Sequence, residues 1–164
     1  MHDQIPNLWP EGLQPTVVSP VAILRFQATA LGQATRGVLE GQVSSVETGG
    51  EVRHDLDVFA PALNYKHRIL SLEHTKSYVY PVILLDAPLN PSRYLGSPVK
   101  AMTEALGIGE KAKSPLAPPG TIFYDDVSLI QAIRERLRSD ETRAVITSLI
   151  ARSNDIATVP ETSG

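Results

Sequence analysis

The sequence of 164 residues predicts an α+β fold in which helices cover one face of an antiparallel sheet. Two segments of alternating polar and apolar residues flank Gly49-Gly50, a pattern typical of a β-hairpin. Apolar residues at helical spacing occur before this hairpin and again near the C-terminus. The predicted order is an N-terminal helix, an antiparallel β-meander of about four strands, a proline-rich loop with a short helix, and a C-terminal helical hairpin packed on one sheet face.

The N-terminal part divides into an arm and the start of a single domain. Prolines within residues 1–18 predict an extended arm, which carries Trp9, the only tryptophan. The α+β domain is expected over residues 19–153, because Ser19 and Pro20 supply a hydroxyl N-cap and a proline at the first helical position. The residues expected on the buried side of this helix are Val21, Leu24, Ala28 and Leu31.

The strands are predicted at residues 38–47, 51–60, 68–74 and 78–85. Their register follows from burial, because a slip by one residue would turn the leucines towards solvent. In the hairpin, the expected pairs are Val46 with Arg53, Ser44 with Asp55 and Gln42 with Asp57. Between the second and third strands, they are Leu56 with Leu72, Val58 with Leu70, His54 with His74 and Asp55 with Glu73.

The C-terminal half begins with a proline-rich connection over residues 87–120, in which Ser97 to Gly107 are expected to form a short helix. Asp125 or Asp126 then caps an amphipathic helix, and the sequence RSDET begins a second one. Residues 154–164 are expected to be a disordered tail.

Composition excludes several classes of site and compartment. Without cysteine, the chain has no disulfide, no thiolate zinc site and no cysteine nucleophile. Its first residues lack the pattern of a signal peptide, and no apolar run approaches the ~20 residues that span a bilayer. We therefore expect a cytoplasmic protein without membrane association.

Charge disfavours nucleic acid as a partner, because the net charge is -3 and no basic stripe occurs. The order of a helix, three antiparallel strands and a helix resembles the double-stranded RNA-binding domain. That module has a basic cluster at the start of its last helix, where this chain has Asp125-Asp126. These carboxylates would repel phosphate.

The first candidate for chemistry is the pair His54 and His74. Imidazoles on adjacent strands can hold a divalent metal if a carboxylate or a third histidine joins them. His67, at the far end of the third strand, does not converge with them. The simpler interpretation is that both rings cap the open end of the apolar face, half-exposed and hydrogen-bonded.

The second candidate is an acidic sheet face formed by Glu40, Asp55, Asp57 and Glu73. Converging carboxylates can bind magnesium, as in metal-dependent hydrolases and nucleases. The order of helix and strands resembles the restriction-endonuclease core, but that family carries Glu-x-Lys where Glu73 is followed by Thr75. The simpler interpretation is a charged surface that stays hydrated.

These observations favour a small non-catalytic interaction or regulatory protein, and we assign no catalytic or cofactor-binding residue. A protein partner or a homodimer is expected, because Val145-Ile146 and Leu149-Ile150 widen the apolar side of the last helix. Trp9, Arg134 and Arg138 are the candidate interaction residues. The alternative is a metal-dependent hydrolase or nuclease that uses His54 and His74, or the acidic face with Asp55, Asp57 and Glu73.

Overall fold

The structure, a computed structural model, describes residues 8–85 and 120–157 and confirms the α+β class. Within these two ranges an antiparallel sheet contains five strands in chain order, one more than expected. The strands are β1 (Glu40–Thr48), β2 (Glu51–Ala60), β3 (Tyr65–Thr75), β4 (Val82–Leu85) and β5 (Gly120–Phe123). The helices are α1 (Pro20–Ala34), α2 (Asp126–Arg138) and α3 (Asp140–Ala157).

Helix α1 begins at the predicted cap. Ser19 Oγ accepts a hydrogen bond from the Ala22 N–H at 3.3 Å, which satisfies one of the donors that a helix start leaves unpaired. Leu24 and Ala28 are buried as expected, together with Ile23. The helix therefore packs on the sheet through the apolar side that its spacing predicts.

The hairpin between β1 and β2 has the predicted register, with Ser44 opposite Asp55 and Gln42 opposite Asp57. Gly49 has a φ of 64°, the left-handed backbone that the first central residue of a two-residue hairpin turn needs. The two glycines therefore fix which residues of β1 and β2 face each other.

The predicted register between β2 and β3 is wrong by two residues as far as Leu56 and by three beyond it, where Val58 lies opposite His67 rather than Leu70. Leu56 lies opposite Leu70, His54 opposite Leu72, and Asp55 opposite Ser71. A shift by two keeps every side chain on its own face, so burial alone does not distinguish the two registers.

The connection before β3 is also tighter than predicted. Pro61–Leu63 forms a single 3-10 turn, and Asn64 adopts a left-handed backbone with a φ of 46°. Strand β3 therefore starts at Tyr65 rather than at residue 68. Its pairing shifts next to Leu56, which leaves Ile69 as the extra residue of a β-bulge.

Strand β4 is shorter than predicted and lies inside the sheet. It begins at Val82, directly after Pro81, rather than at residue 78. Strand β5 pairs with it, so that Leu84 lies opposite Thr121. The prediction missed β5 because its four residues follow the proline-rich connection without an alternating pattern long enough to recognise.

One face of the sheet is covered by helices, and Gly41 identifies it. A Cβ on Gly41 would lie 2.6 Å from the carbonyl oxygen of Ala28 in α1, so the helix approaches the sheet closely here. Gly41 pairs with Val58, and the side chains of β2 alternate between faces. Val58, Leu56 and His54 therefore point towards the helices, whereas Asp55 and Asp57 point to the opposite face.

The C-terminal helices follow the prediction at their starts. Asp125 Oδ1 accepts a hydrogen bond from the Ser128 N–H at 2.7 Å, which caps α2, and α3 begins at Asp140 after a single intervening residue. Helix α3 continues through Ala157, so the predicted tail does not begin at Asn154. The proline-rich connection with its short helix, the first residues of the arm and the rest of the tail lie outside the described residues. Within the described part, no helix has the length and apolar character to cross a membrane.

Candidate functional site

The two histidines predicted as a cross-strand pair do meet, although on a diagonal. The Nε2 atoms of His54 and His74 lie 3.0 Å apart. Ser45 Oγ lies 2.7 Å from Nδ1 of His54, and Nδ1 of His74 lies 2.8 Å from the carbonyl oxygen of Thr75. We call Ser45, His54, His74 and the Thr75 carbonyl the imidazole chain.

With both rings neutral, one arrangement of protons satisfies every contact of the imidazole chain. His74 faces a carbonyl oxygen through Nδ1 and must carry its proton there, so its Nε2 accepts. His54 therefore donates from Nε2 and accepts at Nδ1 from the hydroxyl of Ser45. The pair can take up one proton, but a second would place two N–H groups face to face.

The surroundings keep His54 in its neutral form. Burial lowers the pKa of His54, and the nearby His74 and Arg25 lower it further, while Asp55 acts in the opposite direction. The ring is buried on the helix-covered face of the sheet. The lowered pKa of His54 thus favours the neutral, hydrogen-bonded form of this ring.

Metal binding by His54 and His74 stays a prediction. Among the residues that the structure describes, no group of three or more histidine or carboxylate side chains is placed to hold a metal ion. A zinc ion usually takes four ligands, so most of its coordination would have to come from water or another molecule. It would also replace the proton that links the two Nε2 atoms.

His67 lies apart from the pair, as the sequence predicts. It faces α3 across a shallow depression that Tyr65, Val145 and Leu149 also line. Its Nε2 is buried without a hydrogen-bond partner. Burial lowers the pKa of His67, although the charges of Asp57 and Glu141 partly offset this effect.

The carboxylates of the opposite face are held in an ionic cluster. Asp55 Oδ1 accepts a hydrogen bond from Arg53 Nε at 3.0 Å and another from the hydroxyl of Ser71. Arg68 bridges both carboxylates, with Nη2 3.0 Å from Asp55 and Nε 3.1 Å from Asp57. The ionic cluster consists of Arg53, Asp55, Asp57, Lys66, Arg68 and Ser71.

The interpretation of this face as a hydrated acidic surface is wrong for its central residues. Asp55 and Asp57 are only 6% and 3% exposed. Arginine side chains bind the carboxylate oxygens of both residues. The predicted register did not indicate these contacts, because it placed Glu73 opposite Asp55. Glu73 instead lies opposite Arg53, and Glu40 is exposed at the far end of β1. The four carboxylates do not converge on one point.

A groove separates α1 from the α2–α3 pair above the sheet. It consists of two half-open depressions of about 250 and 190 Å³, which adjoin because Gln27 and Leu137 line both. We call it the helical groove. Its lining residues are Ile23, Gln27, Ala28, Ala30, Leu31 and Ala34 of α1, Leu56, Val58 and Ile69 of the sheet, Ile130, Ile133, Arg134, Leu137 and Arg138 of α2, and Thr142 and Ile146 of α3.

The predicted interaction residues fall into two places. Arg134 and Arg138 both line the helical groove and are exposed, and Arg134 Nη1 donates to the side chain of Gln131 at 3.1 Å. Trp9 is 75% exposed in the arm. The arm is attached at Val18, whose N–H donates to Asp126 and whose carbonyl accepts from the hydroxyl of Tyr80. A role of Trp9, Arg134 and Arg138 in binding stays a prediction.

Comparisons with protein-family models, with curated proteins and with solved structures find no match to this chain.

Sequence reasoning missed the α1 side of the helical groove. Ala30 and Ala34 lie on α1 beside the predicted apolar stripe and leave space because their side chains are small. The bulge adds Ile69 to the floor, and no local pattern in the sequence indicated that bulge. The sequence did show alanines next to the predicted buried side of α1. These alanines do not indicate a groove unless the position of the α2–α3 pair is known.

Proposed function

We propose that this chain is a non-catalytic interaction protein that binds a protein partner through the helical groove. The observation that carries the proposal is the groove itself, where partly exposed apolar side chains of three helices, among them Leu31, Leu137 and Ile146, lie beside two exposed arginines. Accessible apolar surface with a charged margin is typical of protein-binding sites.

The polar clusters support the same proposal. The carboxylates of Asp55 and Asp57 are engaged by arginines, and both imidazoles of the pair are engaged by one another and by their neighbours. Groups that a hydrolase would use on a substrate thus contribute to internal structure.

The test is a selection of peptides from a random displayed library on the full wild-type chain. Ala30→Trp, which fills the groove from α1, is compared with Ala22→Trp, which places the same side chain on the exposed surface of α1 outside the groove. Circular dichroism and thermal midpoints verify that both variants fold.

We expect selected peptides to lose at least about tenfold in affinity on Ala30→Trp and to bind Ala22→Trp like the wild type. Peptides that bind all three proteins equally would contradict a role for the groove. A library that yields no binder for the wild type would count against the proposed function altogether.

The metal-dependent alternative is favoured by one observation, the 3.0 Å approach of the His54 and His74 Nε2 atoms. Its test is calorimetric titration of zinc into the wild type and into His74→Ala. Saturable binding that the substitution abolishes would support the alternative, whereas its absence from the folded wild type would end it.

A further inference from the structure

The charge along the helical groove has a single sign. Its charged lining residues among those described are Arg134 and Arg138, which lie one helical turn apart on α2. The whole chain has a net charge of -3, so this positive margin runs against the overall balance. A bound partner would meet two guanidinium groups beside an apolar floor.

The shape of the groove suits the side of a helix. Its two depressions, of about 250 and 190 Å³, are both half-open, whereas a small-molecule site encloses most of the surface of its ligand. The α1 wall runs from Ile23 to Ala34, which is about 16 Å at the helical rise. Apolar side chains at i, i+4 and i+7 of a partner helix span about 10 Å, so three such anchors fit along the wall.

We infer that the partner presents an acidic amphipathic helix, with leucine-like anchors on the floor of the groove and carboxylates beside Arg134 and Arg138. This inference rests on the proposed function and names its partner class. The small side chains of Ala30 and Ala34 allow the partner backbone to approach α1, and arginine forms bidentate contacts with carboxylates.

The test uses three labelled synthetic peptides of about 14 residues and fluorescence anisotropy with the full chain. The first has leucines at i, i+4 and i+7 and glutamates at the flanking positions. The second replaces every glutamate by lysine. The third retains the glutamates but has one central proline, which breaks the helix.

We expect the acidic helix to bind at least about tenfold more tightly than either of the other peptides. On Arg134→Glu/Arg138→Glu, the order of the acidic and lysine peptides should reverse. Arg143→Glu, an exposed substitution on α3 outside the groove, should change neither affinity by more than about twofold.

The remaining outcomes separate this inference from the proposed function. If the lysine or proline peptide binds as well as the acidic helix, and Ala30→Trp abolishes that binding, the inferred partner class is wrong. The groove is then still supported as a binding site. If library-selected peptides bind the groove but none of the three designed peptides does, the inference also fails alone. If Ala30→Trp affects no peptide, the proposed function fails with it.

Discussion

The pKa of His54 and the pKa of His67 are both lowered from the ordinary value, chiefly because burial disfavours the charged ring. One belongs to the imidazole chain, and the other lies against α3. Both rings face the helix layer, so the protonation of either is coupled to helix–sheet packing. Stability should therefore depend on pH through these two side chains.

We expect the chain to lose stability as the pH falls through about 6.5. Unfolded histidines take up a proton near that value, whereas the folded rings stay neutral to lower pH. The unfolded state then binds more protons, so the free energy of unfolding decreases until the pH drops below the folded pKa values. Denaturant midpoints at pH 7.5 and 5.5 measure this, above the range where ordinary carboxyl groups titrate.

A matched variant tests whether these rings cause the pH dependence of stability. His67→Phe removes one titrating group and retains an aromatic ring beside α3. The difference in denaturant midpoint between pH 7.5 and pH 5.5 should therefore be smaller for this variant than for the wild type. A wild-type chain that is equally stable or more stable at pH 5.5 would refute the assignment.

The ionic cluster gives a second expectation at the residue scale. Asp55→Asn should destabilise the fold by about 2 kcal/mol, because Arg53 and Arg68 lose a shared buried carboxylate. The cost is below that of a fully buried pair, because both arginine side chains are about two-fifths exposed and water screens them.

Urea denaturation of Asp55→Asn and Glu47→Gln makes the comparison. Glu47 pairs with Lys76 at 2.6 Å, but both side chains are more than half exposed, so Glu47→Gln should leave the midpoint unchanged. Equal effects of the two substitutions would mean that the cluster contributes no more than a surface ion pair.

At the scale of elements, α1 packs closely against β1 because Gly41 of β1 has no side chain. We expect Gly41→Ala to destabilise the fold by about 2 kcal/mol, because its Cβ would collide with the backbone of Ala28. Gly50→Ala is the control, since its Cβ would meet nothing within 4 Å. Thermal unfolding of both variants measures the difference, and a neutral Gly41→Ala would show that α1 can move away from the sheet.

Strand pairing shows how far the sequence predicts elements. The glycines at the hairpin tip fixed the β1–β2 register, because a two-residue turn leaves one choice. Between β2 and β3 the only guide was apolar alternation, which repeats every two residues and is satisfied equally by Leu56 opposite Leu70 or Leu72. The bulge at Ile69 and the turn at Pro61–Leu63 decided between them.

At the scale of the molecule, the expected homodimer stays a prediction. The adjacent apolar residues of α3 that suggested it are used within the chain, since Val145, Ile146 and Ile150 pack against the core and Leu149 belongs to it. These three side chains are only partly buried, and Ile146 also lines the helical groove, which is the surface that we propose for a partner.

We expect Ala30→Trp to leave the molar mass of the chain unchanged, because the occupant that we infer for the groove is a foreign acidic helix. Multi-angle light scattering of the wild type and this variant measures the mass. A wild-type dimer that Ala30→Trp converts to a monomer would instead identify a second copy of the chain as the occupant.

Local sequence patterns were enough to predict the α+β class, the N-cap of α1 and the hairpin at Gly49-Gly50, and they narrowed the cap of α2 to Asp125 or Asp126. These features depend on residues close together in the chain, where capping, turn geometry and periodicity act locally. The sequence also placed His54 near His74, because side-chain parity survives an error of two residues in register.

The partners of the polar groups and the position of the groove, by contrast, depend on tertiary contacts. Arg68 meets Asp55 and Asp57 because a bulge and an undetected turn set the β2–β3 pairing. The groove exists because α1 and α2 pack on different parts of the sheet, so that Gln27 of α1 and Leu137 of α2 line both depressions. Such arrangements depend on contacts between distant segments, which no local pattern in the chain specifies.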